Sequence, residues 1–441
     1  KLNFAKRMSY IKASEIREIL KVTEQEDVIS FAGGLPAPEL FPIDEINEIN
    51  QIVLKEAGTK ALQYTTTEGY VPLREWIANR MNERLGTTFD KDNILITHGS
   101  QQGLDLSGKV FLDEGDIVLC ESPTYLAAIS AFKAYGCRFI EIPTDEEGMV
   151  MNVLEDVLSR NSHIKLIYVI PTFQNPTGKT WSLERRKKLA ELSSRYNVAV
   201  IEDNPYGELR FEGESLPSIK SFDTAGNILC TGSFSKIFCP GFRIGWIAGD
   251  KDIIRKYVLV KQGTDLQCNT IAQMTIAEYL KHYDIDKHIG KIVEVYKKRR
   301  DIAIECIRRY FPETIKFTHP EGGLFTWIEL PEEISAREIL EKSLEKKIAF
   351  VPGGSFFRTS IKRISSGSII PIYPETGSRK DLKSSGRSSK NISANPNDLF
   401  RRPSRRANLE KRSSRREFFI CLSRPKKFAG CPKISRRIYF N

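Results

Sequence analysis

Lys236 stands in TGSFSKIFCPGFRIGW (Thr231–Trp246), three residues after Ser233, one after Ser235 and seven before Arg243. An amine can condense with an aldehyde, and hydroxyls beside a guanidinium can hold a phosphate dianion. Both capacities in one loop fit pyridoxal 5'-phosphate, an aldehyde that carries a phosphate. Alone, S-x-S-K reads more readily as a surface lysine in a serine-rich turn. The weight therefore falls on partners elsewhere in the chain.

Pyridoxal chemistry needs an acid beside the ring nitrogen, because a nearby carboxylate favours the cationic ring. Asp203, ending the apolar run VAVIED, can serve. The ring oxygen needs donors, and Asn175 in NPTG and Tyr206, three residues after Asp203, can supply them. NPTG on its own is a turn sequence. Tyr125, in ESPTY, is an aromatic able to stack on the ring, or else a core tyrosine. Ser100 and Gln101 open a helix whose N-terminal amides suit a phosphate, together with Ser233, Ser235 and Arg243.

These residues need a scaffold that brings them together. From Asn93 onward the pattern alternates: strand NILIT, helix SQQGLDLSGKVFL, strand DIVLCE, helix YLAAISAFKAYG, strand RFIEIP, a helix near 152–159, strand IKLIYVIP, helix LERRKKLAELSSRY, strand VAVIED. NILC and RIGWIAG flank the lysine loop as two further strands. Such alternation implies a largely parallel sheet with crossover helices. Ligands of these sheets bind at the carboxyl ends of the strands. The loops HGSQQ, SPTY, QNPTG, DNPY and SFSK all fall there, and five loops on one edge say more than any single motif. Ahead of them, a helix is expected from Ser14, a Gly/Pro loop over Phe31–Pro42, a helix over Ile43–Ala57 and another from about Pro72. A long helical section should run to about Tyr310, followed by a smaller α+β domain.

The chain has 441 residues, 40% hydrophobic and 28% charged, ordinary for a water-soluble globular protein. No apolar run reaches the roughly 18 residues that span a bilayer. No apolar signal core follows KLNFAKRMSY, and the eight cysteines form no CxxC pair, so a reducing cytoplasm is expected. The net charge of +11 is misleading. Residues 358–441 hold 22 Lys/Arg against 5 Asp/Glu, which leaves 45 against 51 in the first 357. The basic character belongs to the tail, so the body carries no nucleic-acid footprint.

As a set, and in order, these segments resemble the class I/II pyridoxal-phosphate aminotransferases of fold type I. The likeness spans roughly residues 8–357. It is nearest to the branch of 2-aminoadipate, kynurenine and multisubstrate aminotransferases, through SEIREIL, ISFAGGLPAPELFP, LQYTTTEGYVPLR, GSQQGLDL and PTFQNPTG. The resemblance implies a large domain with a mainly parallel sheet of the seven-stranded type, plus a smaller α+β domain. The expected division is an arm over 1–42, the large domain over 43–295, the small domain over 296–357 and the tail over 358–441. The resemblance further implies that Lys236 carries the cofactor as a Schiff base and shuttles a proton. Asp203 pairs with the ring nitrogen, Tyr206 and Asn175 contact the ring oxygen, and Tyr125 stacks. Tyr64 reaches the neighbouring subunit's phosphate or substrate in a homodimer. Gly34 lies near the substrate carboxylate, and Ser14 and Arg17 cover the substrate side chain. No metal is implied. The expected reaction moves an amino group between an L-amino acid and a 2-oxo acid, with glutamate and 2-oxoglutarate as one pair. A lyase or decarboxylase on the same scaffold remains open. A regulator carrying an added winged helix is disfavoured, since SEIREIL is reached by residue 14.

One departure stands out. In the family, VPGGSFF leads to an R-L-N-[FY]-S strand whose arginine grips the substrate carboxylate. Here Phe357 is followed by RTSIKRISSGSIIPIYPETGSRK, and the tail has 15 serines in 84 residues. Such a composition favours disorder. A shifted reading frame near codon 358 accounts for the abrupt change, and nothing in the setting of Arg358 or Arg363 recommends either as a replacement.

Overall fold

The computed structural model describes residues 2–11, 28–331 and 334–357, and the backbone of 368–371. Ser14, Arg17 and the helix expected from Ser14 lie outside the described residues. So do Arg358, Arg363 and almost all of the tail.

After β1 (Ile29–Phe31) come α1 (Ile43–Ala61) and α2 (Val71–Leu85). The end of α1 differs from the expectation. The helix breaks at Ala57, with φ −137° and ψ 23°, but a further turn continues to Ala61. Pro72 lies in the first turn of α2, where its missing N–H would have had no partner, and Gly86 closes the helix with φ 71°.

The alternating section then runs β2 (Ile94–Thr97), α3 (Gly99–Phe111), β3 (Ile117–Ser122), α4 (Leu126–Lys133), β4 (Arg138–Asp145) and β5 (Gly148–Met149). It continues with α5 (Met151–Arg160), β6 (Ile164–Val169), α6 (Leu183–Tyr196), β7 (Ala199–Asp203), β8 (Ile228–Ser233) and β9 (Gly245–Ala248). The strands form one sheet in the order β2-β9-β8-β7-β6-β3-β4-β5. It has eight strands where seven were expected, because the two-residue β5 folds back on the end of β4. β3, β4, β6, β7 and β8 are mutually parallel, and β9 lies antiparallel between β2 and β8. Every residue of β2, β3 and β8 is buried, which is why these strands read as near-continuous apolar runs.

The helical section resolves into α7 (Lys251–Gln262), α8 (Thr270–His282) and the 26-residue α9 (Ile285–Tyr310). Asp250, Asn269 and Asp284 cap them by accepting from backbone N–H groups of the first turn. The chain then forms β10 (Lys316–Phe317), β11 (Phe325–Glu329), α10 (Ala336–Leu344), β12 (Ile348–Pro352) and β13 (Ser368–Pro371). The second sheet has the order β1-β12-β13-β11-β10. Strand β13 falls in the tail, where composition gave no strand. Ile369 and Ile370 fit the antiparallel slot between β11 and β12, in register with Val351, Trp327 and Thr326.

The two sheets are tied near the carboxyl ends of the first. Thr124 N–H donates to Phe356 O at 3.2 Å. The Thr318 hydroxyl donates to Thr177 O at 2.8 Å. Gly178 packs so closely on the Phe325 carbonyl that an added Cβ would stand 2.4 Å from it. Among the described residues, no helix is long and apolar enough to cross a membrane.

Candidate active site

β2, β3, β6, β7 and β8 run in one direction, so their carboxyl ends share an edge. That edge carries Ser100 and Gln101, then Tyr125, Asn175, Asp203, and the Ser233–Lys236 turn. Lys236 Nζ donates to Gly34 O at 2.8 Å and lies 6.0 Å from the centre of the Tyr206 ring. Among the described residues its ammonium has no carboxylate partner. Burial, reinforced by the nearby charge of Arg243, lowers its pKa to about 8. A lysine so placed gives up its proton far more readily than one in water, so a nucleophilic neutral fraction is at hand near physiological pH.

Asp203 is 2% exposed. Its Oδ2 accepts from Tyr168 OH at 2.8 Å and its Oδ1 from the Thr231 hydroxyl at 2.6 Å. Burial pushes this carboxyl up, while the two donors pull it back. A cation is what such a buried acid still lacks, and a protonated ring nitrogen would supply it. Across the site, Asn175 Nδ2 donates to Tyr206 OH at 3.3 Å. Tyr206 meets Phe325 edge-on at 5.7 Å, and burial raises its phenol well above the ordinary range. Tyr125 caps α4 and is near enough to Tyr206 and Tyr168 to raise both phenols.

The proposed phosphate end is built from bare backbone. Ser233 Oγ accepts from Ser235 N–H at 3.0 Å and donates to Ser235 Oγ at 2.9 Å, which sets the tight turn into Lys236. Arg243, at φ 53°, lays its guanidinium on Gly99, where a Cβ would stand 2.6 Å from Nη2. Gly245 lies equally close, its absent Cβ 2.8 Å from Ser100 N. Glycine at both positions lets a cation and the N-terminus of α3 converge. The Gln101 side chain is committed elsewhere, donating to Ala127 O at 3.0 Å, so it offers its backbone N–H alone. This set suits pyridoxal phosphate: an amine, a carboxylate awaiting a cation, ring-oxygen donors, and an anion cup.

One expectation lies apart from this cluster: Tyr64 is 78% exposed, on the outer surface. Gly34 joins the cluster through its carbonyl on Lys236, and its other side is pressed on Phe325, 2.6 Å from where a Cβ would sit. Sequence reasoning missed Tyr168 and Thr231. Tyr168 looked like one more apolar residue of a buried strand, and Thr231 sat unremarked at the head of TGSFSK. His98, Asp265 and Cys268 group closely enough to suggest a metal. Lys261 Nζ, however, is 2.7 and 2.8 Å from the Asp265 oxygens, so the chain supplies that cation itself.

Comparison with known proteins agrees with this chemistry. A model of the aminotransferase class I and II family matches residues 27–368. Aromatic-amino-acid aminotransferase 1 of Thermococcus litoralis is 49% identical over 384 residues, 86% of this chain and 92% of that protein. The 2-aminoadipate transaminase of Thermus thermophilus is 42% identical over 359 residues, covering 80% and 88%. Among solved structures, the Pyrococcus horikoshii kynurenine aminotransferase complexed with PMP superposes with a TM-score of 0.80 at 44% identity, covering 85% and 93%. Members of this family use pyridoxal phosphate and share the fold type I architecture seen here. The chain belongs to the aminotransferase class I and II family, and is a pyridoxal-phosphate-dependent aminotransferase.

Proposed function

We propose that the chain transfers the amino group of an aromatic or 2-aminoadipate-like L-amino acid to a 2-oxo acid, with 2-oxoglutarate as one acceptor, in two half-reactions. The activities by which these relatives are named support the donor class. When bound, the cofactor supplies a cationic ring that can take up the electrons of the broken Cα–H bond. Lys236 holds the cofactor and then, as a free amine, takes and returns the substrate proton. Asp203 keeps the ring nitrogen protonated, with Tyr168 and Thr231 holding the acid in place. Asn175 and Tyr206 donate to the ring oxygen and Tyr125 covers the ring face. Ser100, Gln101, Ser233, Ser235 and Arg243 hold the phosphate. Gly34, beside the lysine amine, lines the substrate end, with Ser14 and Arg17 over the side chain.

Exposed Tyr64 supports a homodimer in which it serves the neighbouring site. Six buried free thiols among the described residues support a cytoplasmic setting. The first sheet supports a large domain over 43–295 and the second a small domain over 296–357, to which the arm over 1–42 adds β1 and the tail over 358–441 adds β13. A displaced reading frame near codon 358 belongs to this reading, and the family match ending at 368 of 441 residues supports it. A neighbouring frame of the DNA that encodes no R-L-N-[FY]-S-like segment would remove that part.

The observation that carries the reading is the lysine amine held by a carbonyl, lowered to about 8, on the edge that also bears Asp203. The test is a half-reaction screen of purified protein against a panel of amino acids. Aromatic and 2-aminoadipate donors should convert the bound cofactor to its amine form, and 2-oxoglutarate should return it. Consumption of the amino acid with the cofactor left in its aldehyde form would favour a lyase or decarboxylase.

A further inference from the structure

Glu121, at the end of β3, is 1% exposed and touches none of the groups assigned to the cofactor. Its Oε2 accepts from Ile170 N–H at 2.9 Å and its Oε1 from Trp181 Nε1–H at 2.9 Å. Ile170 and Trp181 stand at the two ends of the loop that carries Asn175. That loop is pinched at its neck, where Trp181 N–H donates to Pro171 O at 2.8 Å. Gln174 joins it to the second loop. Its Nε2 donates to Pro123 O at 2.9 Å, two residues before Tyr125. Its Oε1 accepts from Thr177 N–H at 2.8 Å and from the Thr177 hydroxyl at 2.7 Å. Gln174 also lies near enough to the Glu121 carboxyl to lower its pKa.

A carboxyl buried without a cation is costly to keep. Here burial raises Glu121 to about 7, opposed by the Ile170 and Trp181 donors and by nearby Gln174, and by no opposite charge among the described residues. A neutral side chain of the same shape could fill the space, but it could not accept at both oxygens. A glutamine must turn its NH2 toward one of the two N–H donors and leave that donor unpaired.

We propose that Glu121 is a positioning residue, fastening the ends of the Asn175 loop to the base of the Tyr125 loop so that both meet the cofactor ring at fixed distance. This rests on the reading of Asn175 as a donor to the ring oxygen. Small displacements of such donors weaken catalysis steeply.

The test compares Glu121→Gln, Trp181→Phe and Asn175→Ala holoenzymes with the parent, by pH titration of the cofactor's visible band and by steady-state kinetics. With Asn175 drawn back, the ring oxygen gives up its charge more easily, so the midpoint of the band moves to higher pH. For Glu121→Gln we expect a shift of about half a unit or more, a kcat lower by about tenfold and a KM changed less than about threefold. Trp181→Phe, which removes one donor and keeps an aromatic ring, should move both in the same direction by less. If Glu121→Gln does not fold, Trp181→Phe decides alone. The proposal is overturned if folded variants keep the parent midpoint and kcat while Asn175→Ala moves them, since Glu121 is then a packing acid only. If Asn175→Ala leaves the midpoint in place, the assignment of Asn175 fails and takes the proposal with it.

Discussion

Glu202 and Asp203 are consecutive residues at the end of one strand, both 2% exposed, yet they face two different regions. Glu202 points to the back of the sheet. It accepts from the Ser218 hydroxyl at 2.5 Å, Ile219 N–H at 3.0 Å and Lys220 N–H at 3.1 Å, and the Cys230 thiol lies at 3.5 Å. A carboxylate offers about four acceptor positions, so Glu202 is full. Asp203 points to the side of the proposed cofactor site and, among the described residues, accepts from Tyr168 and Thr231 alone. It keeps capacity for one more donor, and for a charged one. Burial does not distinguish a working acid from a structural one; unspent hydrogen-bonding capacity does.

The comparison can be broken or sharpened by substitution. Lys236→Ala should have the largest effect, with kcat lower by roughly 10^5-fold, the scale of losing a covalent nucleophile. It should also remove the borohydride-reducible link; a mutant that retains one places the amine elsewhere. Asp203→Ala should bind cofactor and lose about 10^3-fold in kcat, as a preorganised charge is removed. Its neighbour should behave oppositely. Glu202→Gln should keep kcat per folded molecule within about twofold while losing about 1–3 kcal/mol of stability in urea unfolding, because backbone donors are orphaned. Equal loss of kcat in both variants would erase the distinction between the two faces. Tyr168→Phe should act more mildly, by about tenfold or less. Removing that donor raises the Asp203 carboxyl further, so the acid limb of the pH–rate profile should move to higher pH.

The smallest effect concerns Lys236 in the cofactor-free protein. Its folded pKa of about 8 lies below the reference 10.5, so the unfolded chain binds more protons between those values. Stability should therefore rise with pH from about 8 to 10.5, and be lower by a constant amount below 8. Lys236→Met should flatten that rise in urea unfolding followed across pH.

The parallel sheet was legible because β2, β3 and β8 are buried on both faces and their helices have helical spacing. The strand-end placing of the lysine turn, Asp203, Asn175 and Tyr206 was legible because glycines, prolines and polar residues interrupt apolar runs where the chain must turn. Tyr168 and Glu121 were not, because a polar residue inside a buried strand reads as packing until its partner 35 or 49 residues away is known. The i, i+4 spacing of Ile49, Val53, Ala57 and Ala61 runs through the break in α1, and the extra turn seats Ala61 in the core. Strand β13 was missed for a third reason. Four residues reveal little by themselves, and the gap between β11 and β12 defines them.

The contact between Lys236 and Gly34 reaches from one sheet to the segment following β1 of the other. Capture of an aldehyde consumes the amine that makes it. The charged resting enzyme and the loaded enzyme therefore cannot share this tether, and the segment around residue 34 gains freedom whenever the lysine is engaged. Amide hydrogen exchange over residues 32–36 should thus report the state of an atom about 200 residues away in sequence, letting the entrance loosen when the site is charged with cofactor and tighten when the amine is released.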